Sequence, residues 1–452
     1  MMAQKLLSRW LLSVSLAFAL LGGATAVVRA QGGPGSLVRP TSINTAIVPS
    51  PPGYPAPEDI VPTLPAETTF SNQGALFETL DGRVVYGQAM DQGFNPASAI
   101  KVATTFAVFQ KYGPEHRFSL TMWTNGSLDN QTGTINGDLV VSGRDPSFNY
   151  EHAVLLARDL NKQGIRNVTG DLIVSQEFTL NFDNSPQRSG ETLYDALDAS
   201  RRPARIKKSW AVYRQTVGDV DATDPNVAVL GNVYVDNIPL NAHQLLTRRS
   251  SRLVDIAKVM LCYSNNFMAE ELGETVGGPV GLRNFLMREA GLRPEEVQLA
   301  STSGLGVNRV TPRAMMRILR GFRKELAKNR LTFSDVMPVA GVDPGTLAHR
   351  YTQFPSRGSV IGKTGTLPQT DSGASALIGQ LNTPQGEILF VVFNMRGAVA
   401  KFRANQDVLV SSIQNMYGGA VAFNYRPSSV TQKLLQTETD AANPDEVDPN
   451  NQ

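Results

Sequence analysis

A strand-rich stretch, residues 117–235, separates two parts of the chain whose apolar residues recur with the period of a helix. Turn signals divide the stretch into short strands, as in "FSLTMWTNGSLDNQTGTINGDLVVSG". Before it, "GALFETLDGRVVYGQ" predicts a hairpin around Asp-Gly, and "AIKVATTFAVFQKYG" predicts a helix. After it come helical segments, three strand candidates and a last helix. This order predicts an α+β fold, an antiparallel sheet flanked by helices, built from residues 66–116 and 236–422 with residues 117–235 as an inserted β-rich domain.

Both ends of the 452-residue chain differ from this middle part. Two basic residues and the apolar run "WLLSVSLAFALLGG" predict that residues 1–30 are a signal peptide, cleaved after Ala26 or Ala30. An uncleaved membrane anchor is the alternative, although the run is shorter than the roughly 20 residues of a membrane-spanning helix. Either interpretation predicts export to the periplasm or cell envelope. Residues 31–65, rich in Pro and Gly, are predicted to be a linker, and polar residues 423–452 a disordered tail.

The overall charge indicates no particular partner. A net charge of +2 and a pI near 8.5 are too balanced to indicate nucleic-acid binding, and they neither favour nor exclude peripheral association with a membrane or cell wall. The single cysteine, Cys262, excludes an internal disulfide, so the core must supply the stability. With one Cys, four scattered His and no H-E-x-x-H pair, neither a metal site nor another cofactor is predicted.

The first candidate catalytic motif is Ser98-Ala99-Ile100-Lys101, at the start of a helical segment. Residues three apart share a helix face, with about 5–6 Å between Cβ atoms, so the amine of Lys101 can reach the hydroxyl of Ser98. Burial and a nearby positive charge lower the pKa of a lysine, and a lysine tuned in this way can act as a general base. Taken alone, such a motif is more often a helix-capping serine with a surface lysine.

Two further motifs follow along the chain. Ser264-Asn265-Asn266 interrupts two helical segments, where a polar turn can face a cleft; a solvated turn is the alternative. Lys363-Thr364-Gly365-Thr366 ends a predicted strand. There a lysine can bind a substrate carboxylate, and Gly365 allows a substrate backbone to approach closely. A plain strand and turn is the alternative, whereas a phosphate loop is disfavoured because no G-x-x-x-x-G-K-[ST] frame precedes.

In this order, the three motifs S-x-x-K, S-x-N and K-T-G are typical of β-lactamases and penicillin-binding proteins. The long segment 102–263 between the first two resembles the class C low-molecular-mass penicillin-binding proteins, the D-alanyl-D-alanine carboxypeptidase/endopeptidase family. Further stretches resemble this family, among them "GDLVVSGRDPSF", "YSNNFMAEEL", "STSGLGVNRVTPRAMMRIL", "MPVAGVDPGTLAHRY" and "GKTGTLPQTDSGASALIGQL". The resemblance covers residues 70–418. It implies the penicillin-binding/β-lactamase-like transpeptidase fold, peptidoglycan peptides ending in D-Ala-D-Ala as substrates, and β-lactams as covalent inhibitors.

The resemblance also implies the catalytic roles. Ser98 attacks the carbonyl carbon of the penultimate D-Ala, and Lys101 accepts its proton. Ser264 relays a proton to the leaving group, while Asn266 holds Lys101 and the substrate amide. Burial and the nearby charge of Lys363 are the predicted causes of a lowered Lys101 pKa.

Substrate-binding residues are implied in the same way. Lys363 and Thr364 bind the terminal carboxylate, next to Gly365. The backbone N–H of Thr366 forms an oxyanion hole with the N–H of the nucleophilic serine. Asp145, within "GRDPSF", closes over the substrate in this interpretation, and a simple Asp-Pro turn residue is the alternative.

Three departures from the family pattern are expected to alter the cleft rim and the substrate preference. Ser301-Thr302 stands where the family has Asp-Gly, Pro344 is inserted before a glycine, and "PQTD" lengthens the turn after the third motif. A β-lactamase shares the three motifs but not the long segment between the first two. A non-catalytic penicillin-binding sensor or scaffold would be tethered to a signalling domain or would lack one of the catalytic groups.

Overall fold

The computed structural model describes residues 72–219 and 223–441, so the predicted signal peptide and linker lie outside the described residues. The chain divides into two compact units. The first contains the residues up to Lys111 together with Met260–Pro427, and the second contains Tyr112–Val259 together with the residues from Ser428 onward. No helix of the described ranges has the length and apolar character needed to cross a membrane.

Strands and helices alternate irregularly along the chain. The strands are β1 Gln73–Thr79, β2 Val84–Gln88, β3 Ser119–Thr124, β4 Ser127–Asp129, β5 Thr134–Asn136, β6 Leu139–Gly143, β7 Asn167–Val168, β8 Leu172–Val174, β9 Ala228–Val229, β10 Val233–Val235, β11 His243–Arg249, β12 Val297–Gln298, β13 Arg309–Val310, β14 Val360–Leu367, β15 Ala374–Thr383, β16 Gly386–Met395 and β17 Glu438–Ala441. The α-helices are α1 Lys101–Tyr112, α2 Tyr150–Lys162, α3 Pro186–Leu197, α4 Ala204–Val217, α5 Leu253–Tyr263, α6 Asn266–Glu274, α7 Gly278–Glu289, α8 Pro312–Lys328, α9 Phe333–Val336, α10 Val399–Met416 and α11 Val430–Leu434.

A five-stranded antiparallel sheet, in the order β14-β15-β16-β1-β2, organises the first unit. The predicted hairpin is confirmed, since β1 pairs with β2 across a turn in which Gly82 has a φ of +98°. Only glycine adopts this conformation without strain. Helix α10 packs on β15 and α8 on β16, and buried side chains such as Leu377, Phe390 and Leu409 form the core. Strand β14 is left at the sheet edge, where every second N–H points away from β15.

The second unit holds the insertion, which is mixed α/β rather than β-rich. Its six-stranded sheet has the order β10-β8-β6-β3-β11-β17, and a four-stranded sheet, β4-β5-β7-β9, lies in the same unit. Helices α2, α3 and α4 have 13, 12 and 14 residues. The sequence predicts the first of them, because "AVLLARDLNKQGI" has the pattern of a short amphipathic helix ended by glycine. Start signals precede the other two, because Ser185 caps α3 ahead of Pro186, and Pro203 precedes α4.

The predicted limit of the insertion at residue 235 is also wrong. Strand β11 continues the inserted sheet, because its residues pair with β3 over His243–Arg249. A single sheet cannot be divided between two cores without breaking its hydrogen bonds, so β11 belongs to the second unit, which extends to Val259.

Residues after 423 include a helix and a strand, which corrects the prediction of a tail disordered from residue 423. Helix α11 buries Val430 and Leu434, and β17 pairs with β11. The carbonyl of Leu434 lies 2.9 Å from Nε2 of the buried His152, and Lys433 Nζ lies 2.7 Å from Asp255 Oδ1. Polar composition was misleading here because the partners of these residues come from the insertion.

A chain ending at Pro427 is expected to melt at a temperature lower by about 8 °C or more than a chain ending at Ala441. The shorter chain loses two buried aliphatic side chains, each worth about 1.5–3 kcal/mol, and the β11–β17 hydrogen bonds. Differential scanning calorimetry of the two chains and the full-length chain measures the difference. Equal melting temperatures would show that α11 and β17 contribute nothing to stability.

Candidate active site

Ser98 lies in a tight turn that leads into α1. A 3-10 turn over Ala97–Ile100 precedes Lys101, the first residue of the α-helix. The side chain of Asn95 accepts a hydrogen bond from Ala97 N at 3.0 Å, and Ala97 has a φ of +45°. A left-handed alanine is uncommon and is tolerated only where its surroundings fix it. The local backbone is therefore held in place around the half-buried serine.

The Lys101 side chain is fully buried and has three hydrogen-bond partners. Its Nζ lies 2.9 Å from Ser98 Oγ, 2.7 Å from Asn266 Oδ1 and 2.6 Å from the carbonyl oxygen of Ser303. The amide and carbonyl oxygens are acceptors only, so they take two N–H bonds. If the amine is neutral, its lone pair is left for the hydroxyl of Ser98, the one of these three partners that can give up a proton.

The surroundings of Lys101 favour this neutral form. Burial lowers the pKa of Lys101 well below its usual range, and the positive charge of Lys363 lowers it further, as the sequence predicted. The carboxylate of Glu270 acts in the opposite direction. The net effect is a lowered pKa, which favours the neutral amine, the form that can accept a proton.

Ser264 occupies the turn between α5 and α6, which is the predicted interruption. It has a φ of +58°, and the next residue, Asn265, caps α6 by accepting a hydrogen bond from Met268 N. Lys363 Nζ lies 2.8 Å from Ser264 Oγ and 2.7 Å from the carbonyl oxygen of Thr364. Burial lowers the pKa of Lys363 to about 7. The second and third motifs are thus joined through one buried amine.

The rest of the third motif runs along β14. A Cβ atom on Gly365 would lie 2.5 Å from the carbonyl oxygen of Pro96. Glycine is therefore required at position 365 because β14 packs closely against the turn of the first motif. The sequence predicted a different reason, namely close approach of the substrate backbone. The hydroxyl of Thr364 donates to Thr346 Oγ1 at 2.8 Å, and Thr366 Oγ1 accepts from Arg403 at 2.8 Å.

Glu270, Thr302 and Ser303 support the first motif and were not predicted. Glu270 accepts hydrogen bonds from Ser303 N at 3.0 Å and from Thr302 Oγ1 at 2.6 Å. Burial raises the pKa of Glu270, but these hydrogen bonds outweigh it and the net pKa is lowered. The anion holds the carbonyl of Ser303 against Lys101. Helical spacing was the available signal, because Glu270 follows Asn266 by four residues and lies on the same face of α6.

The three departures from the family pattern have local structural roles. Thr302 is 1% exposed, so it lies below the surface rather than on a rim. A Cβ atom on Gly345, which follows the inserted Pro344, would lie 2.0 Å from the carbonyl oxygen of Cys262, so this segment packs closely behind the second motif. Asp371, in the lengthened turn, accepts from Arg309 at 2.6 Å and from Asn95 at 2.9 Å. The turn is therefore fastened to the segment that precedes the serine.

Asp145 belongs to the second unit, not to the unit that holds the three motifs. Its side chain is 4% exposed and accepts from Ser147 N at 2.8 Å and from Ser147 Oγ at 2.6 Å. Burial raises the pKa of Asp145 to about 6, against the effect of the Ser147 hydrogen bonds. These contacts are those of an Asp-Pro turn, and a role over the substrate stays a prediction.

Within the described ranges, no three His, Cys, Asp or Glu residues are grouped to hold a metal ion.

The fold and the buried lysine beside the serine define a penicillin-recognising serine hydrolase. The model of the D-Ala-D-Ala carboxypeptidase 3 (S13) family matches residues 66–216 and 222–415, so the chain belongs to that family. The family predicted from the sequence is thereby confirmed, and the chain is a serine-type D-Ala-D-Ala carboxypeptidase.

Similar proteins come from several bacteria. D-alanyl-D-alanine carboxypeptidase DacB of Haemophilus influenzae is 24% identical over 390 residues, 66% of this chain and 79% of that protein. The D-alanyl-D-alanine carboxypeptidase of an Actinomadura strain is 32% identical over 189 residues, 37% of this chain and 34% of that protein. Among solved structures, the predatory endopeptidase Bd3459 of Bdellovibrio bacteriovorus has a TM-score of 0.68 and 21% identity, covering 80% of this chain and 96% of that one. Penicillin-binding protein 4 of Haemophilus influenzae has a TM-score of 0.57. These structures confirm the predicted fold.

Proposed function

We propose that this protein cleaves the bond between the last two D-alanines of peptidoglycan stem peptides through an acyl-enzyme on Ser98. The observation that carries the proposal is the hydrogen-bond set of Lys101. Two acceptor-only oxygens occupy its N–H groups, which leaves the lone pair for the Ser98 proton. No histidine is needed, because a buried lysine with a lowered pKa serves as the base.

In the acylation step, Lys101 takes the Ser98 proton while Ser98 Oγ bonds to the carbonyl carbon. The N–H groups of Ser98 and Thr366 stabilise the oxyanion, a contribution of about 3–4 kcal/mol per donor in comparable sites. The C–N bond then breaks, and Ser264, whose oxygen accepts from Lys363, relays the proton held by Lys101 to the leaving amine, so that Lys101 is neutral again. The products are free D-alanine and an ester on Ser98.

In the deacylation step, water attacks the ester carbonyl and gives its proton to the neutral amine of Lys101. The Ser98 oxygen leaves and recovers a proton from that amine, so the enzyme returns to its starting state. Asn266 keeps the amine aimed at the reacting oxygen in both steps. Lys363 and Thr364 are proposed to bind the terminal carboxylate of the substrate. Asp145, which belongs to the second unit, is proposed to close over the substrate.

Several wider properties follow from the same chemistry. A β-lactam ring presents an amide carbonyl to Ser98 and retains its leaving amine, so penicillin is proposed to form a long-lived ester. Cleavage of peptide cross-links is a second proposed activity, since a cross-link carries the same D-alanyl carbonyl. Export to the periplasm or cell envelope, behind the proposed signal peptide, would bring the enzyme to its substrate.

Purified protein incubated with uncross-linked and cross-linked muropeptides tests the proposal. Mass spectrometry is expected to show loss of one D-alanine from uncross-linked pentapeptides, and monomers from cross-linked dimers if endopeptidase cleavage occurs. No product from either substrate would contradict the peptidase proposal. A penicillin ester that persists for minutes or longer supports the peptidase, whereas rapid penicillin turnover would indicate a β-lactamase.

A further inference from the structure

A polar cluster, formed by Asn95, Arg309 and Asp371, connects the turn that precedes α1 with the turn that follows β14. The side chain of Asn95 is fully buried, and its Nδ2 donates to Asp371 Oδ2 at 2.9 Å and to the carbonyl oxygen of Gly306 at 3.0 Å. Its Oδ1 accepts from Ala97 N at 3.0 Å. Both protons of the amide and its oxygen are therefore used, so one orientation of this side chain satisfies all of these partners.

Arg309 holds the carboxylate of Asp371 from β13. Its guanidinium donates to Asp371 Oδ1 at 2.6 Å and to Oδ2 at 2.9 Å. The next residue, Val310, forms an antiparallel bridge with Phe94, which directly precedes Asn95. Burial raises the pKa of Asp371, but the hydrogen bonds from Arg309 and Asn95 outweigh it and the net pKa is lowered. Asp371 is therefore an anion at neutral pH, and a bidentate pair of this kind is both strong and directional.

The backbone of the turn after β14 needs such a fastening. Asp371 and Ser372 have φ angles of +53° and +55°, in the left-handed region that residues other than glycine rarely adopt. A strained conformation of this kind persists only where the surrounding contacts determine it, and it is concentrated at functional sites. Here the contacts are the bonds that Asp371 accepts from Arg309 and Asn95.

The two segments joined by the polar cluster carry the two proposed oxyanion-hole donors. Ser98 belongs to the turn before α1, and Thr366 lies on β14. In β14, Gly362 N donates to the carbonyl oxygen of Pro338 instead of to β15. Because N–H groups alternate along a strand, that of Thr366 also points away from β15. Oxyanion donors act at about 2.7–3.1 Å from the oxygen that they bind, so contacts between the two segments have to set their spacing.

We infer that Asp371 is a positioning residue that fixes the distance between the N–H groups of Ser98 and Thr366. It does so through its hydrogen bonds with Asn95 and Arg309. The inference rests on the proposed function, because that function places these two N–H groups in the oxyanion hole. The lengthened turn, which departs from the family pattern, supplies the carboxylate for this role. Loosening the polar cluster would slow formation of the tetrahedral intermediate and leave binding of the substrate nearly unchanged.

Replacing Asp371 with asparagine tests the inference at nearly constant side-chain size. The amide puts an NH₂ group opposite a donor of Arg309 or Asn95, so the polar cluster loses one acceptor and its negative charge. On diacetyl-L-Lys-D-Ala-D-Ala, kcat is expected to fall by about 20-fold, less than the roughly 10²- to 10³-fold loss for a missing oxyanion donor, while KM changes by less than about twofold. Asp91→Asn is the matched control. It breaks an exposed bidentate pair with Arg313, at 2.7 and 3.0 Å in the same unit, and should leave both constants unchanged.

The carbonyl group of the penicillin ester gives a readout that a merely structural role would not change. Hydrogen bonds from an oxyanion hole weaken a carbonyl bond and lower its stretching frequency. Infrared difference spectra of the ester, with an isotope-labelled carbonyl, should therefore show this band at a higher frequency in Asp371→Asn than in the wild-type protein and in Asp91→Asn. The rate of acylation by penicillin, measured by stopped flow, should fall by the same factor as kcat.

The two arms of the experiment separate this inference from the proposed function. If the wild-type protein does not cleave the peptide but forms the penicillin ester, and the carbonyl band shifts in Asp371→Asn, the inference stands and the proposed function fails. If the wild-type protein cleaves the peptide and Asp371→Asn leaves kcat and the band unchanged, the inference alone is overturned. A slower variant with an unshifted band, or an equal loss in Asp91→Asn, would also overturn it, because Asp371 would then only support the fold. A wild-type protein that reacts with neither compound would overturn both.

Discussion

The Ser98→Ala variant is expected to lose covalent labelling by penicillin and to release D-alanine about 10⁵-fold more slowly than the wild-type protein, as for other serine nucleophiles that act as part of a unit. Among the three hydrogen-bond partners that the described residues offer to Lys101, the Ser98 hydroxyl is the one that can donate a proton and form the ester. Intact-protein mass spectrometry after incubation with penicillin measures the adduct, and a coupled assay measures D-alanine.

Ser127→Ala, at an exposed position of β4, is the control for general effects of the substitution. It should be labelled and should hydrolyse peptide like the wild-type protein. Since alanine at position 98 removes only one atom, both variants are expected to melt at nearly the wild-type temperature. A penicillin adduct on the Ser98→Ala protein would mean that a different side chain is the nucleophile.

The Lys101→Met variant is expected to be acylated by penicillin about 10³-fold more slowly, the range found for removal of a general base. In the wild-type protein, acylation should fall as the pH falls through the lowered pKa of Lys101, because the protonated amine cannot accept the Ser98 proton. This acid limb should be absent from the variant. Acylation rates measured by stopped flow from about pH 5 to pH 9 give both profiles.

The stability of the folded protein should also depend on pH. Where the folded pKa of a lysine is lowered, the unfolded state binds more protons between the folded and unfolded values, so stability rises with pH in that interval. Lys101→Met removes this dependence, whereas the control Lys324→Met, at an exposed position of α8, leaves it in place. An acid limb that survives unchanged in Lys101→Met would assign the limb to another group, such as Lys363.

The order of the motifs allowed most of the first unit to be predicted from the sequence. Ser98 and Lys101 are close in sequence, so helical spacing was enough to bring them together. The contacts of Lys101 with Asn266 and Ser303 join residues more than a hundred positions apart, and only the resemblance to a family could suggest the first of them.

The second unit was harder to predict for a physical reason. Its strands are mostly two to seven residues long, and short strands carry weak periodicity. The end of the chain is polar, so composition indicated disorder. Its stability comes instead from partners such as His152 and Asp255, which lie far away in the sequence.

The pairing of early strands with late ones has a consequence for how this chain reaches its native state. Strand β1 pairs with β16, Gln73 opposite Asn394, and β11 pairs with β17, Arg249 opposite Glu438. Loop closure over such separations costs entropy before any contact forms, and folds dominated by distant contacts form slowly. Neither unit can complete its sheet until nearly all of the polypeptide has been synthesised. The nascent chain is therefore expected to remain largely unfolded throughout translation, a state in which it could still be threaded through a translocation channel.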